Sequence, residues 1–250
     1  MAGPVSDDAI PAATLILVRE APGAVPELLM VERAGGMAFA AGALVFPGGR
    51  IDAADRQLAA ETGVDPAAVA AIRETVEETA VPAGLSPLPD PATARALQDE
   101  LVADRPFAEL LRVHRLGLDT KDLTLFARWV PKFHAVRRFD TLFFLARCPP
   151  GDWQPRVIEG ECAGAEWLSA AEILERDRSG RARLIFPTRR TLERLAQHHS
   201  FDEIRADALA HEIIPVTPWV EERDGERFIT IPDNLGYPVT QERLDGVWRG

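Results

Sequence analysis

Cysteine is nearly absent from this 250-residue chain, which has only Cys148 and Cys162. Two thiols make neither a disulfide framework nor a zinc site, so reduced side chains in a reducing compartment are expected. Positive charge is also scarce: 28 Lys and Arg stand against 39 Asp and Glu, a net charge of −11. Such a balance argues against a non-specific nucleic-acid binder, which needs a basic surface. A polyanion could be received only where a metal ion or a local arginine cluster offsets the repulsion. The opening "MAGPVSDDAIPAATLILVRE" has no basic n-region, and its apolar run is too short to span a bilayer. A cytoplasmic protein without membrane or nucleic-acid partners is expected. His114, His134, His198, His199 and His211 share no metal-ligand spacing and read as surface or core residues.

What the chain does have is apolar content, 46%, enough to build a real core. "ATLILVRE" (13–20) and "ELLMVER" (27–33) read as strands joined by the turn "APGAVP". "AGGMAFAAGALVFPGGRID" is too glycine-rich for a helix; it reads as a loop, a short strand near 43–46 and a tight turn at Pro47-Gly48-Gly49. A helix is expected over 65–81, with Asp65 as N-cap, Pro66 at N1 and Pro82 closing it. Residues 86–117 read as a helical insertion of two helices behind the proline-rich "SPLPDP". Strands resume with "LTLFARWV" (123–130) and "FDTLFFLAR" (139–147). Helices follow at "SAAEILERD" and "PTRRTLERLAQHH", with Ser169 and Thr188 as candidate starts, and "ERFITIPD" reads as a last short strand. The order implies an α/β (α+β) layer structure with a mixed sheet between helices. It is read as one domain over 1–250 with a C-terminal extension over about 200–250.

The 65–81 helix carries a conspicuous charge cluster, "AIRETVEETAV". On a helical wheel started at Val69, Ile72, Val76 and Ala80 fall at roughly 300°, 340° and 20°; Glu77, Glu74 and Glu78 fall at roughly 80°, 140° and 180°. One apolar stripe is expected to be buried while the opposite flank gathers carboxylates. Glu74 and Glu78 are like charges at i,i+4, and Arg73 alone cannot neutralise three acids. Carboxylate oxygens so spaced suit Mg²⁺, which characteristically joins one or two carboxylates to substrate phosphates. A solvated acidic face with an i,i+4 salt bridge is the competing reading.

Together with the glycine turn before it, the helix resembles the signature of the Nudix hydrolases: Gly, five residues, Glu, seven residues, then Arg-Glu-aliphatic-x-Glu-Glu-x-Gly-aliphatic. Arg73 to Val81 match the second half, with Thr75 at an aliphatic position and Ala80 in place of glycine. Gly49 opens the first half, and Asp55 stands where glutamate belongs. Seventeen residues separate Asp55 from Arg73, ten more than the signature has. Asp55 keeps the acidic role, Glu61 takes it, or neither does. The resemblance implies the Nudix fold and a Mg²⁺- or Mn²⁺-dependent hydrolase of nucleoside diphosphates linked to another moiety. Carried over by position, Glu74, Glu77, Glu78 and the carbonyl of Gly49 are the metal ligands. Glu74 is a ligand or the base, Arg73 orients a glutamate, and Glu78 is counted with the catalytic residues. In "VIEGECAGAEW", Glu161 lies where many members of the family place a further acid; Glu159 and Glu166 are its neighbours.

"LMVERAGGMAFAAGALVFPGG" resembles the coenzyme A signature of certain members. Arg33, Gly42 and Phe46 to Gly49 are in register, with Ala38 at the second arginine and Val31 for threonine. Most of the chain is similar to the peroxisomal coenzyme A-type Nudix hydrolases and their bacterial relatives. That likeness implies cleavage of coenzyme A or acyl-coenzyme A to 3′,5′-ADP and (acyl-)4′-phosphopantetheine. Arg33, Gly48, Arg137 and Arg138 are then the substrate-binding candidates; the arginine pair of "AVRRFDT" could hold a phosphate, or be structural. ADP-ribose, NADH or an ADP-sugar is the alternative small-molecule substrate, and a non-catalytic nucleotide-binding module the second alternative. A homodimer is the only protein partner the resemblance suggests.

Overall fold

The computed structural model describes residues 9–34, 42–131, 138–158, 160 and 162–244. Its first half runs β1 (Ile10–Arg19), β2 (Glu27–Arg33), β3 (Leu44–Val45), β4 (Gly48–Arg50), α1 (Ala53–Thr62), α2 (Pro66–Thr79), β5 (Leu85–Ser86), α3 (Pro91–Val102), α4 (Phe107–Val113) and β6 (Gly117–Leu118). The second half runs β7 (Thr124–Trp129), β8 (Phe139–Arg147), β9 (Cys162–Ser169), α5 (Ala170–Arg178), α6 (Phe186–Leu195), α7 (Phe201–Ala210), β10 (Pro215–Val216), β11 (Trp219–Arg223), β12 (Glu226–Thr230) and β13 (Gln241–Arg243).

A mixed eight-stranded sheet is ordered β10-β7-β8-β1-β2-β3, with β4 added to β1 and β9 to β2. Its central strand, β1, runs parallel to β8 along its length and antiparallel to β2. The run Leu15-Ile16-Leu17-Val18 is fully buried because both faces of the sheet are covered. Ile16 and Val18 pack with Phe126, Trp129 and the apolar sides of α5, α6 and α7. Leu15 and Leu17 point the other way, onto Ala67, Ala68, Ala70 and Ala71 of α2.

Helix α2 is not amphipathic in the simple sense its sequence suggests. The alanines face the sheet, while Val69, Ile72 and Val76 face a second layer made by α1, α3 and α4, with Leu58, Leu97, Leu101 and Leu110. A helix covered on two sides leaves only a narrow strip for its acids, and even Glu78 is buried. Its start follows the expectation, Asp65 accepting from the Ala67 amide at 2.7 Å; its end comes earlier than Pro82, where Ala80 (φ 58°) closes the last turn with its amide on the Val76 carbonyl.

Several elements depart from the sequence reading. The ten residues of α1 fall where no helix was expected; Gly63, at φ 74°, stops it before Asp65 starts α2. Helix α6 begins at Phe186, two residues ahead of Thr188. Strand β9, helix α7 and the small sheet β11-β12-β13 were not foreseen, and "ERFITIPD" supplies the middle strand of that sheet. The two helices expected within 86–117 form as α3 and α4. Among the described residues no helix is long and apolar enough to cross a membrane.

Candidate active site

The acids of α2 meet the turn between β3 and β4. Pairing of Thr14 with Gly48 and of Ala13 with Gly49 pins that turn to β1, and α2 packs on the same strand, so turn and helix share one support. A Cβ on Gly48 would strike the Ala13 carbonyl and the Thr14 hydroxyl, and one on Gly49 would strike the Glu74 carboxylate. Gly48 therefore excludes a side chain for steric reasons, whereas a side chain at position 49 would displace the Glu74 carboxylate. The Gly48 amide donates to Glu78 Oε2 at 3.0 Å, and the Cys162 thiol of β9 donates to Glu78 Oε1 at 3.7 Å. Glu78 is thus held at both oxygens, from two different strands.

Arg73 organises the other side. Its Nε and Nη2 form a fork on Asp55 at 2.9 and 3.0 Å, its Nη2 also reaches the Arg50 carbonyl at 3.2 Å and Glu74 Oε1 at 3.0 Å, and its Nη1 reaches Glu77 Oε2 at 3.1 Å. Asp55, in the first turn of α1, is 2% exposed and also accepts from the Asp52 amide at 2.9 Å. Of the two acids the sequence leaves open, Asp55 is the one that meets Arg73. Glu61 lies on the exposed side of α1, bonded to Gln57. The ten additional residues therefore displace no contact: they are accommodated as a helix that returns Asp55 to Arg73.

Burial would lower the Arg73 pKa, but the Asp55 hydrogen bonds and the charges of Glu74, Asp55 and Glu77 outweigh it and raise it. The glutamates behave oppositely. Burial pushes the Glu74 carboxyl up to about 7, with Arg73 opposing and Glu77 adding to the rise. Burial likewise pushes Glu78 up to about 8, the charge of Glu74 adding to it, while the Gly48 amide, Arg33 and Cys162 pull it down. Glu74 keeps Arg73 as an ion-pair partner, whereas buried Glu78 is held by an amide and a thiol and sits beside the Glu74 charge.

Among the described residues, no three His, Cys, Asp or Glu side chains are gathered closely enough to grip a metal ion. Glu74 and Glu78 lie at the glycine turn, while Glu77 leans to Arg73. Two carboxylates beside a main-chain turn still match the chemistry of a hard divalent cation, which takes one or two carboxylates and completes its shell with water and phosphate. The donor set at the turn, carboxylate oxygens of Glu74 and Glu78 beside glycine backbone, is therefore one that such a cation fits.

Arg33, at the end of β2, faces this site across an irregularity opposite Cys162. Its charge is felt at Glu78, and its Nε is buried without a hydrogen-bond partner among the described residues. Arg138 precedes β8, its carbonyl accepting from the Ile10 amide at 2.8 Å; no described contact joins it to the acids. Glu166 is bound to Arg176 at 2.6 Å on the outer face. Arg137, Ala38, Glu159 and Glu161 lie outside the described residues. Cys162 was read only as a reduced thiol; nothing in its local sequence points to Glu78, 84 positions away.

No family model matches the sequence, and no curated protein does. Solved structures do. The chain is similar to a Nudix hydrolase from Alicyclobacillus acidocaldarius, with 28% identity over 80% of this chain and 96% of that one, at a TM-score of 0.67. It shares 14% identity with the Nudix domain of Shewanella oneidensis NrtR, solved with ADP ribose, over 77% of this chain and 88% of that one (TM-score 0.46). An Ap4A hydrolase from C. elegans shares 15% identity over 81% of this chain and 96% of that one (TM-score 0.39).

Proposed function

Because the chain belongs to the Nudix hydrolase superfamily, we propose that it hydrolyses the diphosphate of coenzyme A or acyl-coenzyme A, releasing 3′,5′-ADP and (acyl-)4′-phosphopantetheine with Mg²⁺ or Mn²⁺. The observation that carries the reading is the meeting of buried Glu78 and half-buried Glu74 with the Gly48-Gly49 turn, where the Gly48 amide donates to Glu78 Oε2 at 3.0 Å. Glu74, Glu78 and the Gly49 carbonyl would hold the cation; Glu77, which pairs with Arg73 in this structure, would have to turn toward it to complete the set, and Glu161 would join them. When bound, such a cation neutralises diphosphate charge and lowers the pKa of bound water.

The protein's own side chains divide the remaining work. Arg73, anchored by Asp55 and the Arg50 carbonyl, keeps Glu74 and Glu77 from drifting with solvent. Glu78 is fixed by the Gly48 amide and Cys162. Glu74, between Arg73 and Gly49, is placed either to ligate or to accept the proton of the attacking water. Arg33, whose Nε has no hydrogen-bond partner among the described residues and whose charge is felt at Glu78, would be placed to receive a phosphate oxygen. Arg33, Gly42 and the Phe46 to Gly49 turn match part of the coenzyme A signature, whose second arginine and threonine are replaced by Ala38 and Val31; that partial match supports the substrate. Arg137 and Arg138 would serve its 3′-phosphate.

The test is turnover by purified protein, with Mg²⁺ or Mn²⁺, of coenzyme A, an acyl-coenzyme A, NADH and ADP-ribose. Release of 3′,5′-ADP from the coenzyme A compounds is expected. Hydrolysis of ADP-ribose with none of coenzyme A would overturn the substrate, and no hydrolysis of any would leave a nucleotide-binding module.

A further inference from the structure

A helix leaves its last four carbonyls without intrahelical partners, and α2 ends at Thr79, within two residues of Glu77 and Glu78. The Glu77 carbonyl is one of these four. It accepts from Gln98 Nε2 of α3 at 3.0 Å. The same nitrogen donates to the Arg156 carbonyl at 2.7 Å, and the Arg156 amide donates to the Thr79 carbonyl at 2.8 Å. Arg156 in turn binds Asp99, the next residue of α3, at 2.8 Å. A closed ring thus runs from α3 through the 149–158 segment to both backbone groups that flank Glu78. Gln98 is completely buried, and its Oε1 has no partner among the described residues, so the donor end alone fixes the amide.

We propose that Gln98 is a positioning residue for the acids of α2: by closing this ring it sets the last turn, and with it the direction of Glu77 and Glu78. The inference rests on the reading of those acids as cation-holding. It gives α3, part of the helical insertion, a direct hold on the helix that carries the chemistry. Gln98 touches no reacting atom; it acts through the Glu77 backbone.

The test is Mn²⁺ affinity, measured by titration of the nucleotide-free protein, for wild type, Gln98→Met and Leu110→Ala. Methionine keeps the volume of glutamine but donates nothing, whereas Leu110→Ala loosens the same α3-α4 layer without touching the ring. Gln98→Met is expected to weaken Mn²⁺ binding by about ten- to a hundredfold, the effect typical of groups that orient metal ligands. Leu110→Ala is expected to stay near wild type. In turnover, Gln98→Met should lower kcat with the nucleotide KM unchanged. If the methionine variant does not fold, Gln98→Asn, whose donor is withdrawn by one methylene, is read the same way. Near-wild-type affinity in the Gln98 variant, or an equal loss in Leu110→Ala, would overturn the positioning role while leaving the cation site standing. A wild type that binds no Mn²⁺ would overturn both.

Discussion

Glu78 is 8% exposed, lies beside Glu74, and is held by a backbone amide and a thiol, neither of which supplies a full positive charge. Its ionised form is therefore destabilised in the folded protein unless a cation arrives. Glu78→Gln keeps an acceptor for the Gly48 amide and removes the charge. Turnover is expected to fall on the order of a hundred- to a thousandfold, while the melting temperature in chelator at pH 8 rises. Steady-state kinetics and thermal unfolding check the two halves; unchanged turnover would assign Glu78 a structural role alone. At this scale the sequence was informative about Arg73, Glu74, Glu77 and Glu78 because all four lie on one helix at a recognisable spacing. It was silent about Cys162 and Gln98, which reach α2 across the fold and obey no local pattern.

Helix α1 shows why spacing misled where chemistry did not. "AADRQLAAET" is rich in good helix formers, yet a motif read linearly leaves those residues as an unexplained excess between Asp55 and Arg73. The chain uses them to go out along one helix and back along the next, so Asp55 meets Arg73 despite an 18-residue separation. Asp55→Ala removes the two-bond partner of a guanidinium whose side chain is only 13% exposed, leaving Glu74 and Glu77, and should cost about 1.5–3 kcal/mol. Glu61→Gln, on the exposed side of the same helix, should change stability by no more than about 0.5 kcal/mol. Urea denaturation of the two variants decides between the acids; a larger effect at Glu61 would contradict the assignment. Strand β9 was missed for a different reason. Its "CAGAEWLS" is exposed at Ala163 and Glu166 and contains a glycine, so alternation is weak and its pairing with β2 comes from tertiary context.

For the whole molecule, the strands β1, β2, β7 and β8 were legible because short runs rich in β-branched, aromatic and other apolar residues lie between turn residues. The order in which they pair was not, since β1 and β8 are parallel neighbours more than a hundred residues apart. The C-terminal region is joined to that sheet through the same core. Ile229, Ile231, Leu235 and Tyr237 pack with Phe126 and Trp129, and the Trp129 indole donates to the Tyr237 hydroxyl at 3.0 Å. Tyr237→Phe leaves that buried indole N–H without its acceptor and should cost about 1–3 kcal/mol in denaturant unfolding. No loss of stability would mean that the contact contributes nothing to docking.

Protonation couples the site to global stability. Both glutamates have an ordinary pKa of 4.5, against about 7 for Glu74 and about 8 for Glu78 in the fold. Below pH 4.5 they are protonated in either state. As pH rises above that, the unfolded chain releases protons the folded protein still binds, so stability falls until both acids are ionised near pH 8. A divalent cation binding the ionised acids reverses that loss by mass action. The decisive measurement is the melting temperature from pH 5 to pH 8, with chelator and with Mn²⁺, for wild type and for a double variant carrying Glu74→Gln and Glu78→Gln. Wild type should lose stability with rising pH relative to the double variant, and regain it with Mn²⁺ increasingly toward pH 8. A wild type indifferent to Mn²⁺ at pH 8, or a double variant that responds as strongly, would contradict a cation site at these glutamates.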